Sequence, residues 1–593
     1  MRYNRNKAEV NIDLKNGLRL HQRMASHSIL SAICSLRFSV LVIIVIFQVA
    51  TVSAQTPIKK EIEVVRPYEP TVSDAHKINI LPKINDSITI KPSVQYSIVP
   101  TMINTEYQVN PIMAAKMLNM PLSKLYNSYV KLGFGNYTTP LAEVYINSLR
   151  SKKYAAGFFF KHQSSSGKVT LDNNAKVYAG YSGTSGELFG KKFFKSSYLY
   201  GDAAISGNSV FHYGYDTHNP KLPDTLLQKG DIRQNFTLIK LNTGLRSSHS
   251  DSSKLSYDIG FGYNFFQDRV HHGENNISIN SLLSKRYENK MMGLNASLDV
   301  LKPNENLDSA KNSNFLLSLN PSVGLSTSDY RLQLGLNISF ENQGNGLNLR
   351  LYPNAEFQFI AVKDVIIPFL GLTGGVKTHS YKDIAFENPF IRPDLLVRNS
   401  YLKLNFYGGL KGSLGSKASY VLKFDYSSLD NQYFFINDTS SILRNQFTVV
   451  YTPVDIFTEH AEVNYDISEQ VSFGVKTNFY QYNLIKETQP WNKPKFDLTI
   501  STRYNLRNKI LVDFDILALG KRYAKEFTRG SNPKPFAADL PSVIDFNLGI
   551  EYRYTKILSF WIKFNNFTAS KYYAWDQYPS QRFNLMAGFT YSL

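Results

Sequence analysis

Apolar and polar side chains alternate at every second position through most of this chain, and no other feature constrains the fold as strongly. The final segment, 582–593, shows the alternation most clearly. Its apolar row consists of Phe583, Leu585, Ala587, Phe589, Tyr591 and Leu593, and its polar row includes Asn584, Thr590 and Ser592. Successive side chains of a β-strand point to opposite faces, so one row meets an apolar surround and the other meets water.

The same alternation recurs in internal segments, among them 255–265, 332–340 and 544–554. In the last of these, Asp545 and Glu551 lie in the polar row. A protein core would bury these charges at a high cost in free energy, whereas a water-filled lumen keeps them solvated. We therefore predict an all-β fold, a transmembrane antiparallel β-barrel. Further charged residues predicted to face its lumen are Arg350, Glu356, Lys403, Asp513 and Asp515.

Short and long connections follow one another between the alternating runs. The short ones are 466–469, 506–508 and 554–556, and the long ones are 485–495, 524–540 and 569–581. In outer-membrane barrels the short turns face the periplasm and the long loops face outward. Carried back to Tyr129, the alternation predicts about 22 strands, with segments 194–216 and 417–437 each readable as one long strand or two short ones. An even number of strands places both ends of the barrel on the periplasmic side.

The most apolar run of the chain, 38–50, follows a positively charged lead and precedes a small-residue site at 52–54. This arrangement is typical of a secretory signal peptide, which we predict over residues 1–54, with Met24 as an alternative start. An uncleaved membrane anchor is the other interpretation, but an anchor needs about twenty apolar residues. The only cysteine, Cys34, lies in this segment, so the exported chain is predicted to have neither a disulfide nor a free thiol.

Residues 55–127 differ from the rest in holding eight of the 24 prolines. Proline fixes φ and removes a hydrogen-bond donor, so we predict a largely extended arm with a short helix near 110–118. The arm lies either in the periplasm or in the lumen. The predicted division of the chain is thus a signal peptide at 1–54, an arm at 55–127 and a barrel at 128–593.

Segments 131–137 and 386–393, taken with the tail and the strand count, resemble the TonB-dependent receptors, in particular plug-poor barrels of Bacteroidetes. The likeness covers about 128–593 and implies an outer-membrane barrel that transports a solute. The tail is also similar to the C-terminal signal by which such barrels are inserted. Phe589, Tyr591 and Leu593 are its candidate residues, which makes the barrel-assembly machinery an expected partner, beside the lipid of the outer membrane.

Near the predicted mature amino terminus, a short segment is similar to a TonB box, which adds a strand to the periplasmic energising protein. The segment consists of Glu61, Ile62, Glu63, Val64 and Val65. The other interpretation is an ordinary strand of the arm. The expected partner is therefore a TonB-type energising complex, or a periplasmic or lipoprotein partner of the arm.

Candidate ligand contacts lie in the predicted outer loops, because aromatic faces can stack on ring-bearing solutes. We select Trp575, Arg392 and Trp491 for this role. Aromatic residues at this height also form the girdle at a membrane interface, which is the alternative interpretation.

No Gly-x-Ser-x-Gly or His-Glu-x-x-His motif occurs in the sequence, and we predict no enzyme, no cofactor and no metal site. The formal net charge of +19 is spread over many short segments. We therefore predict no nucleic-acid binding, because anionic headgroups or an anionic solute account for this charge. Transport of a solute across the outer membrane is the leading hypothesis. The alternative is a non-transporting scaffold that anchors a periplasmic or surface complex through its arm.

Overall fold

A computed structural model describes residues 125–215, 217, 228–249, 251–304, 313–344, 346–441, 443–528 and 532–593. The predicted signal peptide, nearly all of the arm, its helix and the TonB-box-like segment lie outside these residues.

Most of the described chain forms one antiparallel sheet of 22 strands. These strands are β1 (Ser128–Gly135), β2 (Thr139–Asn147), β3 (Tyr154–Ser165), β6 (Tyr181–Phe193), β7 (Ser197–Phe211), β8 (Arg233–Ser247), β9 (Ser256–Asp268), β10 (Gly273–Tyr287), β11 (Lys290–Pro303), β12 (Asn314–Ser326), β13 (Tyr330–Asn342), β14 (Asn348–Phe359), β15 (Ile367–Lys377), β16 (Ser400–Leu414), β17 (Ala418–Asn437), β18 (Phe447–Asp466), β19 (Val471–Leu484), β20 (Phe496–Leu506), β21 (Ile510–Leu519), β24 (Val543–Arg553), β25 (Leu558–Asn565) and β28 (Asn584–Ser592).

Shorter elements lie in the connections at one end of this sheet. They are the hairpin of β4 (Lys168–Thr170) and β5 (Lys176–Tyr178), the hairpin of β22 (Arg522–Phe527) and β23 (Pro535–Leu540), the hairpin of β26 (Tyr573–Trp575) and β27 (Tyr578–Pro579), and the helix α1 (Tyr381–Glu387). Among the described residues, no helix is both long and apolar enough to span a membrane.

The sheet closes on itself because its first and last strands pair. The pairing of β1 with β28 runs from Tyr129 opposite Ser592 to Gly135 opposite Met586. Closure gives every strand two hydrogen-bonded neighbours, as a membrane-spanning sheet requires. The prediction of a closed antiparallel barrel of about 22 strands is confirmed. The two ambiguous segments each form one long strand, β7 and β17.

Apolar side chains cover the outer face of the barrel. Phe134 is 61% exposed and Leu351 is 62% exposed, and each lies between inward-facing neighbours on its strand. Other exposed members of this outer row are Leu188, Leu199, Leu241, Ile259, Ile279, Leu334, Leu349, Phe406, Ile544 and Phe589. Large apolar side chains left in water at this density would be unfavourable, so the belt indicates contact with lipid.

The four longest connections lie at the same end of the barrel, here called the loop end. They are 212–232, 378–399, 520–542 and 566–583. Connections at the opposite end, the turn end, include the tight turns 194–196, 288–289 and 507–509. The alternation of short and long connections read from the sequence between 466 and 581 is therefore present, and we expect the loop end to face the cell exterior.

Candidate functional site

The loop end holds the largest buried apolar cluster among the described residues, which we call the cap. Its members are Phe236, Leu238, Phe266, Tyr381, Ile384, Ala385, Ile391, Leu395, Val397, Tyr433, Phe435, Phe447 and Tyr578. They come from β8 and β9, from β17 and β18, and from loops 378–399 and 566–583. Strands β9 and β17 are separated by seven others in the barrel order, so side chains from distant parts of the wall meet across the mouth.

Helix α1 carries the apolar side chains that fill the centre of the cap. Tyr381, Ile384 and Ala385 lie on its buried face, at the spacing that places side chains on one side of a helix. Ser380 begins the helix by accepting a hydrogen bond from the Asp383 N–H at 3.1 Å, which is the usual N-cap contact.

Polar contacts attach α1 to two separate parts of the wall. On one side, the Tyr381 N–H donates to Glu274 at 2.8 Å and the Tyr381 hydroxyl donates to Asp268 at 3.0 Å. On the other side, Glu387 accepts from the Tyr433 hydroxyl and pairs with Lys493 at 2.5 Å. Burial raises the pKa of Glu387, but the Lys493 charge and these hydrogen bonds outweigh it and hold the pKa below its ordinary value. The carboxylate is therefore charged, and the helix bridges the mouth.

Backbone pairing and ring contacts tie the same loop to its neighbours. Phe447 of β18 donates its N–H to the Phe390 carbonyl, and Arg392 donates its N–H to the Phe447 carbonyl, both at 2.9 Å. Phe390 stacks on Tyr578 with ring centroids 3.7 Å apart. Trp575 packs edge-on against Phe435 at 4.9 Å. Loops 378–399 and 566–583 thus form one packed unit with β17 and β18.

All three residues that were predicted to contact a ligand are packed against, or paired with, other residues of the loop end. Trp575 is half-buried against the cap, and Arg392 pairs with Asp394 and with Asp438 at 3.2 Å. Trp491 is only 2% exposed, and its Nε1 donates to Glu487 at 2.8 Å. Ligand contact by these side chains stays a prediction, and Trp575 and Arg392 are the more accessible of the three.

The predicted insertion signal lies on β28 and at the carboxyl terminus. Phe589 is exposed on the outer row, and Tyr591 shares that row at the next outward position. The Leu593 carbonyl accepts a hydrogen bond from the Asn127 N–H at 2.8 Å, beside the first strand. Recognition by the barrel-assembly machinery stays a prediction.

A concave groove of about 390 Å³ lies in the inner wall formed by β7 to β11, nearer the turn end. Its polar lining includes Tyr200, Asp202, Asn242, Asp258, Ser278, Asn280 and Asn295. The outward neighbours of these residues, such as Ile259 and Ile279, are exposed on the lipid side, so the polar row faces the lumen. The groove exists partly because Gly262 has no side chain, since a Cβ there would lie 2.6 Å from Ser278 Oγ.

Hydrogen bonds hold the two groove carboxylates in place. Asn242 Nδ2 donates to Asp202 at 2.7 Å, and the Tyr200 hydroxyl donates to Asp258 at 2.8 Å. Arg246 lies 3.7 Å from Asp258. Carboxylate, carboxamide and hydroxyl groups with one aromatic ring can hydrogen-bond a hydroxyl-rich or cationic solute. The groove is therefore a candidate for solute contact within the described lumen.

The charged residues predicted to face the lumen form ion pairs and hydrogen bonds along the wall. Arg350 lies 2.6 Å from Glu341 and stacks over the Tyr401 ring at 4.0 Å. Glu356 accepts from the Tyr407 hydroxyl at 2.8 Å. Two further pairs are Arg503 with Asp513 at 2.6 Å and Lys403 with Asp430 at 3.0 Å. Asp515 shares the face of Asp513, two residues further along β21.

One histidine lies as close to a serine as in a catalytic dyad, but the hydrogen bonds of the two side chains differ from those of a dyad. His379 Nε2 lies 2.8 Å from Ser400 Oγ, while the Ser400 hydroxyl donates to the Asn431 carbonyl at 2.7 Å. Burial and the nearby Lys377 charge lower the pKa of His379 to about 4, so the ring is neutral. Because the Ser400 hydroxyl donates to a carbonyl and not to the His379 ring, we interpret the pair as structural and not as a nucleophile with its base. Within the described ranges, no group of three or more His, Cys, Asp or Glu side chains is placed to hold a metal ion.

Comparison with solved structures identifies barrels of the same architecture. The ferric enterobactin receptor of Pseudomonas aeruginosa matches with a TM-score of 0.59 at 10% identity, over 79% of this chain and 81% of the receptor. The FrpB iron transporter of Neisseria meningitidis matches with a TM-score of 0.60 at 9% identity, over 80% and 82%. The ferric-catecholate import receptor Fiu of E. coli K12 matches with a TM-score of 0.58 at 9% identity, over 79% and 82%.

The chain has the barrel fold of the TonB-dependent receptors. At 9% to 10% identity, the likeness to these transport receptors establishes the fold. A 22-stranded barrel of this kind indicates an outer-membrane location. No protein-family model and no curated protein matches the sequence.

The cap was not predicted from the sequence, because no helix was expected at 381–387 in the outer loop that holds Arg392. The signal was present, since Tyr381, Ile384 and Ala385 have helical spacing behind Ser380. The groove was missed for another reason. Its residues belong to five strands, and only their lateral pairing brings them together.

Proposed function

We propose that this chain is an outer-membrane transport barrel that admits a solute from the cell exterior through a capped mouth to a polar lumen. The observation that carries the proposal is the cap, which joins distant parts of the wall above a lumen lined with hydrogen-bonding groups. An inert anchor needs neither feature. The similarity to iron and ferric-chelate receptors supports the transport class, and the groove supports a hydroxyl-rich or cationic solute.

A charged residue placed in the centre of the cap tests whether opening of the cap controls passage through the barrel. Ile384 is fully buried, so Ile384→Asp is expected to loosen the cap, because an unpaired buried carboxylate is strongly unfavourable. Leu396→Asp is the matched control, on an exposed position of the same loop. In planar bilayers, the Ile384→Asp protein is expected to conduct ions more than the natural protein and the control.

Heat-modifiable migration on SDS gels verifies that each variant still forms a barrel. Equal, low conductance for a correctly folded Ile384→Asp barrel and the natural protein would favour the scaffold function over transport.

We further propose that a signal peptide at 1–54 exports the chain, that the chain is a plug-poor receptor of Bacteroidetes type, and that transport is driven by a TonB-type complex through Glu61 to Val65. Deleting residues 61–65 is expected to abolish energised uptake and co-purification of the energising protein, while surface display of the barrel persists. If uptake and co-purification are both unchanged, the solute crosses by a passive route. Deletion of residues 66–70, next to this segment, is the matched control.

A further inference from the structure

Four consecutive connections at the turn end carry a strong excess of positive charge. They join β2 to β3, β6 to β7, β8 to β9 and β10 to β11, which follow one another around the wall. The segments that contain these connections are 148–153, 191–197, 248–255 and 285–290. They hold ten Lys and Arg residues and only two acidic residues, Asp251 and Glu288. We call this part of the rim the basic arc.

Three lysines of the basic arc lie on the lipid-facing side of the barrel. Lys192 lies four residues beyond Leu188 on β6, so it shares the outward row of that exposed leucine. Lys285 lies opposite Met292, which is 52% exposed, and Lys290 lies two residues before Met292 on β11. All three lysines are exposed. The apolar belt therefore ends at the turn end in a row of ammonium groups.

Aromatic side chains lie beside these lysines at the same height. Tyr154 is 57% exposed and lies opposite Lys192, whose Nζ is 5.8 Å from the centre of the Phe194 ring. Tyr287 is 62% exposed and lies opposite Lys290. Tyrosine and lysine together on a lipid-facing row are typical of the interface between the hydrocarbon and the headgroups of a bilayer. The outward lysines therefore lie at the level of the headgroups.

The positive charges of the outward lysines are not neutralised within the wall. None of the three forms an ion pair with a carboxylate in the described part of the chain. Charged residues elsewhere near the turn end do pair, since Arg503 lies 2.6 Å from Asp513 and Arg553 lies 3.4 Å from Glu551. Like charges along one rim repel one another, and a negatively charged surface opposite them relieves this repulsion. The basic arc therefore fits an anionic partner.

We propose that the basic arc binds the headgroups of anionic phospholipids in the membrane leaflet at the turn end. A lipid partner fits better than a soluble acidic protein, because the outward lysines project from the same row as the apolar belt. A bilayer that covers the belt thus brings its phosphates to these lysines. From β2 to β11 the arc covers seven strand spacings, roughly 35 Å, so it can meet several headgroups at once. The proposal is independent of whether the barrel transports a solute.

Lipid binding is measured by native mass spectrometry of the full-length protein in detergent, with dioleoyl phosphatidylglycerol or the zwitterionic dioleoyl phosphatidylcholine added. We expect the natural protein to bind phosphatidylglycerol at least about tenfold more tightly than phosphatidylcholine. The arc variant, which combines Lys192→Gln, Lys285→Gln and Lys290→Gln, is expected to lose this preference. Its barrel is expected to fold because all three side chains are exposed, and heat-modifiable migration on SDS gels verifies folding.

The matched control combines Lys417→Gln, Lys509→Gln and Lys556→Gln, which removes the same charge from exposed turn-end positions outside the basic arc. The control is expected to keep the preference for phosphatidylglycerol. High salt is expected to weaken the preference in the natural protein and in the control, because salt screens exposed charges.

Equal binding of the two lipids by the natural protein would overturn the proposal, and so would an equal loss of the preference in both triple variants. Phosphatidylglycerol binding by the arc variant as tight as by the natural protein would overturn it in favour of an acidic protein partner. Displacement of the lipid by an equal concentration of inorganic phosphate would also overturn it, because the arc would then be a site for a free anion.

Discussion

Trp561 lies across two glycines at the seam where the barrel closes. Its indole is 5% exposed and packs with Leu141 and Met586. A Cβ at Gly133 of β1 would lie 2.3 Å from the indole, and one at Gly588 of β28 would lie 1.9 Å from the Leu132 carbonyl oxygen. These glycines are required for close approach rather than for a special backbone angle. The close packing of Trp561 therefore leaves room only for glycine at positions 133 and 588.

Replacing Gly133 with valine is expected to destabilise the seam by about 1–3 kcal/mol, the usual cost of overpacking a tight site. Gly207→Val is the matched control, since a Cβ at Gly207 of β7 meets nothing within 4 Å. The fraction of heat-modifiable, folded barrel on SDS gels measures the effect. Equal folded fractions for the two variants would show that Trp561 moves aside without cost.

Two buried histidines contact the cap and its neighbours, because the His379 ring packs edge-on against Tyr433 and the His212 ring packs edge-on against Phe390. Burial lowers the pKa of His212 to about 4, and burial with the Lys377 charge does the same for His379. Each folded-state pKa is thus depressed below the ordinary value of 6.5. Stability from the neutral rings is therefore present above pH 6.5 and is lost as the pH falls toward 4, by up to roughly 3 kcal/mol for each ring.

Acidification from pH 6.5 to 4.5 is therefore expected to loosen the cap. The measurement is hydrogen exchange in 378–399, corrected for the intrinsic pH dependence of exchange. His379→Gln is expected to remove part of the acid effect, because the carboxamide cannot gain a charge. His271→Gln, at an exposed turn position, is the control and is expected to leave the effect intact. A cap equally protected at both pH values would contradict the expectation.

At the scale of the whole molecule, the two faces of the barrel lie in different environments, lipid on the outside and water in the lumen. The outer belt and the polar lumen indicate that the barrel crosses a bilayer, and the distribution of long connections predicts its orientation. The predicted exported chain has no cysteine, so single introduced thiols report orientation without background.

Asp539→Cys at the loop end and Asp329→Cys in the turn 327–329 test this orientation. In intact cells, an impermeant maleimide is expected to label Cys at 539 only, and after disruption of the outer membrane it is expected to label both positions. Labelling at 329 alone in intact cells would show that the barrel is inserted with the opposite orientation.

The barrel could be predicted from the sequence because the alternation of apolar and polar side chains that specifies it lies within each strand. Lipid and lumen impose a two-residue period on each strand, so the final segment with Phe583 and Phe589 already predicted a transmembrane strand, and repetition of that period predicted the number of strands. The cap and the groove were decided by tertiary structure alone. Loop residues follow no regular period. The residues that meet in the loops and across neighbouring strands come together only when the sheet closes, so a pattern within one segment does not predict their contacts.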